Sequence, residues 1–413
     1  MTQTQAPTRS TLVRGGVAAW LGWLFDGLDG YLYVLVAAPF VAELLHRPAS
    51  DKSIGLYASV IQAVFLVGWA LGGGLFGRIG DRFGRIRTIS LTILTYALFT
   101  GLSALSQTWW QLMLFRFLAA LGIGGEWAAG ASLVSETWPN RWRPWVSAAL
   151  QSAYQCGILL ASLTLFLIPN NPRAVFLVGV LPALITYWIR RAVPEPEEWQ
   201  QASRRERPPQ IMDLFRGEVL RTTILVILVC SASLITVWGY MFWYIQQLVH
   251  LPDVAAMSKT DQGHYISMVS TIAMLAAIAG NFFSAAMARR FGYRAAAATV
   301  FAGAFITLYA TYSTPRDHNQ LLFCIPFVHF FVQGIFGLFP LYIPPLFPTM
   351  LRATGAGFCY NIGRLAAAAG TLYFGLLVRV GDYRTAVLAI SYVYLPAILV
   401  AFLIPELSSK RSA

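Results

Sequence analysis

Residues 77–87 read GRIGDRFGRIR, four arginines and one aspartate set between two long apolar runs. A segment so charged belongs in water. The runs beside it, near 54–77 and 87–106, are each about 20 residues long, enough to cross a hydrocarbon core roughly 30 Å thick. The pattern returns 208 residues later, where AAMARRFGYRA (285–295) follows another apolar run. A second marker repeats at nearly the same offset: WPNRWR (138–143) and FPTMLR (347–352). Two markers at one offset indicate an internal duplication.

Working outward from these markers, the chain of 413 residues divides into twelve apolar spans, near 15–44, 54–77, 87–106, 109–137, 142–168, 173–191, 219–249, 262–288, 295–312, 320–350, 353–378 and 384–405. The composition agrees, with 57% hydrophobic and 12% charged residues, where soluble domains carry roughly 25% charged. The expected fold is an all-α polytopic membrane protein in two six-helix halves. Residues 1–191 form the N-terminal bundle and 219–413 the C-terminal one. The Pro-, Glu- and Arg-rich stretch 192–218 is a cytoplasmic linker with one short surface helix. Parallel halves of this kind bind their solute at mid-membrane, between the halves.

The net charge of +12 does not mark a nucleic-acid binder. With both termini cytoplasmic, 21 of the 30 Lys and Arg fall in inner segments and seven in outer loops, leaving Arg116 and Arg364 inside spans. That bias sets orientation in a bilayer and is expected for a multi-pass protein of the inner (plasma) membrane. Residues 1–13 lack the features of a cleaved signal peptide. Cys156, Cys230, Cys324 and Cys359 all fall in spans with no metal-ligand spacing, so they are expected to be free. GGGLFG (72–77) fits a dinucleotide-loop pattern but lies in a span without a βαβ context, so close helix packing is the better reading. Hydrolase, metalloprotease and Walker motifs are absent, which argues against an enzyme or an ATP-driven pump.

The 77–87 stretch resembles the loop between helices two and three of the major facilitator superfamily. Arg116 with the FLAALGIGG that follows is similar to that superfamily's helix-four arginine motif, SETWPNRWR (135–143) to an inner gating motif, and PEPEEW (194–199) to the segment that ends helix six. Three further stretches, FDGLDGYLYVLVAAPF (25–40), GIGGEWAAGASLVSE (122–136) and RATGAGFCYNIGRL (352–365), look most like the proton-coupled sialate, monocarboxylate and aromatic-acid symporters. The resemblance implies a gating role for Asp81, Arg82, Arg85, Glu136 and Arg143, and a link between Arg116 and proton transfer. The sequence departs from the pattern at Arg289 and Pro345, where the second half would carry acids. Span seven lacks the polar motif of the fungal lactate permeases, and span five, YQCGILLA (154–161), lacks the Gly-Pro antiporter motif.

Ionisable groups inside spans are Asp26, Asp29, Arg116, Glu126, His329 and Arg364. Facing lipid, each would cost several kcal/mol, so they should line a wet cavity or pair with one another. Asp26 and Asp29, three residues apart, share a helix face. Two close carboxylates in low dielectric resist double ionisation, so one should hold a proton, with Asp29 favoured as the titrating member. The alternative is that one of them salt-bridges an arginine and never titrates. Arg364, a planar fork charged at any physiological pH, is the candidate to hold a carboxylate. Asn361, three residues earlier, is placed to assist; the alternative is a buried ion pair of Arg364 with Glu126 or Asp26. Glu126, after Gly124 and Gly125, is a candidate second proton site. Gln151, Tyr154 and Gln155 form a polar patch in span five, and His329 and Gln333 another in span ten; all five are candidate cavity residues. Interface anchoring accounts for most of Trp238, Tyr240, Trp243 and Tyr244, with one of them able to cap a substrate.

The reading is a proton-coupled symporter of a small, monocarboxylate-like organic anion, working as a monomer by alternating access. The proton gradient is its energy source, with no cofactor or metal. A sugar or polyol porter of the same superfamily is the alternative, and its neutral solute would not need Arg364. A membrane sensor would need a signalling domain that the short tails do not supply.

Overall fold

The computed structural model describes residues 9–48, 51, 53–83, 85–124, 143–169, 171–184, 211–348, 351–380 and 383–405. Glu126 and Glu136 lie outside the described residues, as do the side chains of Asp81, Arg82, Arg85 and Arg143. The first half comprises α1 (Arg9–Leu45), α2 (Ser53–Phe83), α3 (Arg85–Ser103), α4 (Trp109–Gly124), α5 (Arg143–Leu167) and α6 (Pro172–Val178). The second comprises α7 (Val219–Val249), α8 (Lys259–Phe291), α9 (Tyr293–Tyr312), α10 (His318–Gly334), α11 (Arg352–Val380) and α12, which runs from Tyr383 to Leu403 with a break after Ser391. Among the described residues there is no strand, and eight helices are long and apolar enough to cross a membrane.

Most helix ends fall within a few residues of the expected spans, and two differences are informative. The 77–83 part of the charged stretch is helical, the last turns of α2 rather than a loop. Basic side chains at a helix C-terminus suit its dipole, so α2 extends past the apolar run. The expected span 320–350 breaks instead at Gly334 and continues as short 3₁₀ and α turns to Leu346. Pro340, Pro344 and Pro345 supply no backbone N–H and obstruct the preceding turn, so a continuous helix cannot form there.

Packing repeats with a shift of six helices. α1 lies on α5 as α7 lies on α11, and α2 lies on α4 as α8 lies on α10. The repeat reaches single residues. A Cβ at Gly72 would strike the Leu121 carbonyl of α4, and one at Gly280, 208 residues on, would strike the Phe330 carbonyl of α10. Without buried water to drive association, membrane helices gain by close backbone approach, which small residues permit. The halves meet through α2 against α11 and α5 against α8.

The end of the bundle opposite the linker is shut across the halves. Ser267 Oγ donates to the Ser162 carbonyl at 2.5 Å, the Phe166 ring stacks on His264 at 4.3 Å, and Gly263 lies against Pro169. Deeper in, the Tyr31 and Tyr244 hydroxyls share a hydrogen bond of 2.6 Å between α1 and α7. At the other end the final residues of the linker dock on the second half. Thr223 donates to the Leu214 carbonyl at 2.8 Å, and Phe215 meets Phe358 edge-on at 5.7 Å.

Candidate functional site

A cavity of about 30 Å³ lies at the junction of the halves, room for only one or two waters. Its wall is largely aromatic: Trp23, Trp69, Tyr154, Trp238, Phe336 and Tyr360. Three polar side chains, Gln151, Gln333 and Arg364, and three aliphatic ones, Leu234, Val237 and Met241, complete it.

Among the described residues that line that wall, Arg364 carries the only formal charge. Its side chain is buried, with Cζ 4.6 Å above the Trp69 ring and 4.6 Å above the Tyr360 ring. Nη1 donates to Asn361 Oδ1 at 2.7 Å, while Nε has no hydrogen-bond partner. Among the described residues no carboxylate lies within 4 Å of it. Asp26 acts on this guanidinium electrostatically and also on Tyr154. Asn361 is held close by α2, where a Cβ at Gly73 would come within 2.5 Å of its amide nitrogen.

The second buried arginine is satisfied differently. Arg116 Nη1 contacts both Asp29 carboxylate oxygens at 3.1 Å, and Nη2 donates to the Asp29 carbonyl at 3.0 Å. Thr100 donates to Asp29 as well, and the guanidinium lies 4.5 Å over Phe65. Both members of the pair are fully buried, joining α1 to α4. Asp29 is therefore engaged with Arg116, 87 residues away, and not with Asp26 on its own helix face. The helix bearing it packs closely, because a Cβ at Gly27 would run into the Tyr154 carbonyl of α5.

The remaining candidates scatter. Gln333 reaches the cavity and its amide meets Met241 Sδ at 3.0 Å. His329, one turn earlier, does not line the cavity; its Nδ1 donates to the Ile325 carbonyl at 3.1 Å and its ring lies among Tyr240 and Tyr244. Gln155 is buried away from the cavity wall with neither amide atom hydrogen-bonded. Trp238, Tyr240, Trp243 and Tyr244 are all buried, which overturns the expectation of interface anchors. Packing between α7 and its neighbours claims them, and Trp238 lines the cavity. Trp23, Trp69, Phe336 and Tyr360 did not emerge from the sequence. A signal for Trp69 existed, since a tryptophan in mid-span sits far from the interfaces where tryptophans gather.

The profile of the Major Facilitator Superfamily matches residues 19–260, and the chain belongs to that superfamily. It is 29% identical over 421 residues to the sialic acid transporter NanX of Escherichia coli (strain K12), covering 99% of this chain and 98% of the relative. It is 28% identical over 379 residues to the cis,cis-muconate transport protein of Acinetobacter baylyi, covering 88% and 87%. The solved xylose transporter XylE from E. coli, in a partially occluded inward open conformation, has the same fold, with a TM-score of 0.76 at 16% identity over 98% of this chain and 100% of that one. The protein is a multi-pass membrane transporter, not an enzyme.

Proposed function

We propose that the protein carries a small organic anion together with a proton by alternating access, in the inner membrane, as a monomer with both termini cytoplasmic. The carrying observation is Arg364: a buried cation on the cavity wall, backed by an amide and two rings, with Nε unpartnered and no described carboxylate within 4 Å. Such a cation is costly to bury unless a charge partner arrives, and its fork suits a carboxylate. The named solutes of two relatives, sialic acid and muconate, are carboxylic acids, which supports the reading.

Coupling follows from where the acids stand. An anion on Arg364 would repel Asp26, whose charge already acts on the same guanidinium, and a proton on Asp26 removes that repulsion. Asp29 and Arg116 form the second element. Protonating Asp29 would loosen two N–H···O contacts between α1 and α4. Glu126 stands as a further proton site on sequence grounds. Asn361, Gln151, Tyr154 and Gln333 would orient the anion, with Gln155 and His329 behind them. Asp81, Arg82, Arg85, Glu136 and Arg143 would gate the cytoplasmic end as the halves 1–191 and 219–413 rock about the 192–218 linker. The energy comes from the proton gradient, with no cofactor.

The test is uptake into proteoliposomes of labelled lactate, pyruvate, benzoate, sialate and glucose, with an inward proton gradient, with and without a protonophore. Accumulation of one acid that collapses with the protonophore is expected. Movement of glucose alone, independent of the gradient, would sink the reading.

A further inference from the structure

The unloaded Arg364 raises a question of its own: what holds a bare guanidinium in place, and what changes when an anion reaches it? Its two rings come from different halves. Tyr360 is on α11 with Arg364 itself, one turn earlier, whereas Trp69 is on α2. Trp69 is almost completely buried, yet its indole Nε1 has no hydrogen-bond partner. It cannot shift independently of its helix. Phe65 meets it edge-on at 5.6 Å, Trp238 at 5.4 Å, and a Cβ at Gly124 would strike its carbonyl from α4. One turn along, Gly73 abuts Asn361, which holds Arg364 Nη1. Two successive turns of α2 thus cradle the Asn361–Arg364 pair. Both lie on the half of α2 nearer the linker end.

We infer that Trp69 is the positioning residue through which the N-terminal half senses the anion on Arg364, a role that rests on the reading of Arg364 as the carboxylate site. A bare cation is drawn to the face of an indole, the best of the aromatic faces for this purpose. A bound carboxylate neutralises the cation and weakens that attraction, while the unpartnered indole N–H is free to donate to one of its oxygens. A tie between α2 and the arginine is exchanged for a tie between α2 and the substrate. Binding is thereby felt on the helix that ends in the 77–83 gating segment. The aromatic wall serves transport as well as solute fit.

Two variants separate the two halves of this inference. Trp69→Phe keeps a ring under the guanidinium and loses the N–H; Trp69→Leu loses both. Spin labels on Leu91→Cys and Phe291→Cys, both exposed near the linker end of opposite halves, report its opening in a background without native cysteines. In ligand-free protein, Trp69→Leu is expected to populate longer distances than wild type, and Trp69→Phe to resemble wild type. Calorimetric titration with benzoate is expected to show about a tenfold weaker affinity for Trp69→Phe, the loss of one hydrogen bond to a charged group. Wild-type distances in ligand-free Trp69→Leu would overturn the tie, and wild-type benzoate affinity in Trp69→Phe would overturn the donor. Should wild-type protein not bind benzoate, the titration is run with lactate, pyruvate and sialate; binding of none of the four fails the organic-anion reading, while the ligand-free distances still decide the tie.

Discussion

Among the described residues, the two buried arginines stand on helices that the repeat does not pair, Arg116 on α4 and Arg364 on α11, and they are treated in opposite ways. Arg116 is neutralised by Asp29 and supported by Thr100, a closed set with a net charge of zero. Arg364 is given an amide oxygen and two ring faces, none of which carries a formal charge. Each guanidinium keeps an unpartnered Nε, so the difference lies in charge: the first arrangement is neutralised by a contacting carboxylate and the second is not. A closed pair ties α1 to α4, whereas the cation proposed as the anion site stands open on the cavity wall. Burial alone therefore does not single out a candidate binding residue; incomplete charge compensation at a cavity does.

The comparison can be broken most forcefully at Arg116. Arg116→Leu leaves Asp29 as a buried charge without its partner and should lower stability by about 3–5 kcal/mol, read from thermal unfolding in detergent. The double variant Arg116→Leu with Asp29→Leu should recover most of that loss while weakening the proton dependence of uptake, which Asp26 still supports. Additive losses in the double variant would show that the pair is not a coupled unit.

Arg364→Leu tests the other side. Melting should fall less than for Arg116→Leu, because Asp26 acts on this cation across space without an ion-pair contact, while uptake of the proposed acid should fall about 100-fold, two charge-assisted hydrogen bonds' worth. Arg364→Lys should recover only part of it, since an ammonium cannot bind a carboxylate in two places at once. Loss of folding in Arg364→Leu would instead make this arginine a structural one.

A smaller effect sharpens the equivalence of the halves. Gly72→Ala and Gly280→Ala each drive a methyl into a facing backbone carbonyl and should cost about 1–3 kcal/mol apiece. Unequal costs would show that one half yields more easily at its α2–α4 or α8–α10 contact.

The smallest effect lies outside the bundle. His318 hydrogen-bonds Asp253 at 2.8 Å at the end opposite the linker and holds its carboxyl below the usual range. A depressed carboxyl pKa favours the folded state once the group is ionised in the unfolded chain, above about pH 4, and the benefit fades as pH falls through the folded value. Asp253→Asn should thus lower the melting temperature slightly at neutral pH and progressively less as the pH falls below about 4.

Several elements of the fold could be read from residue order alone. The apolar runs located helices such as α7, Val219–Val249, at its observed ends. The 208-residue offset between marker segments reappears as the matched contacts of Gly72 and Gly280. The positions of Asp29, Arg116 and Arg364 inside spans marked them as residues needing an explanation. Gln151, Tyr154, Gln333 and Arg364 did reach the cavity, but Gln155 and His329 did not. A polar residue in an apolar helix announces that it avoids lipid without saying which neighbour it meets.

What the amino-acid sequence determined by itself was the set of spans, the duplication and the short list of charged residues that lipid would reject, because hydrophobic length and charge act locally along the chain. Only the tertiary structure decided that Asp29 belongs to Arg116, that Trp69 belongs to Arg364, and that the α7 aromatics turn inward. In a soluble helix the buried face is apolar and the exposed face polar, so a periodic pattern exposes the orientation. Here lipid-facing and core-facing positions are alike apolar. Leu71 is exposed and Trp69 buried two residues apart on α2. With no difference in polarity to record the helix face, the partners of each buried group are set by packing across the bundle.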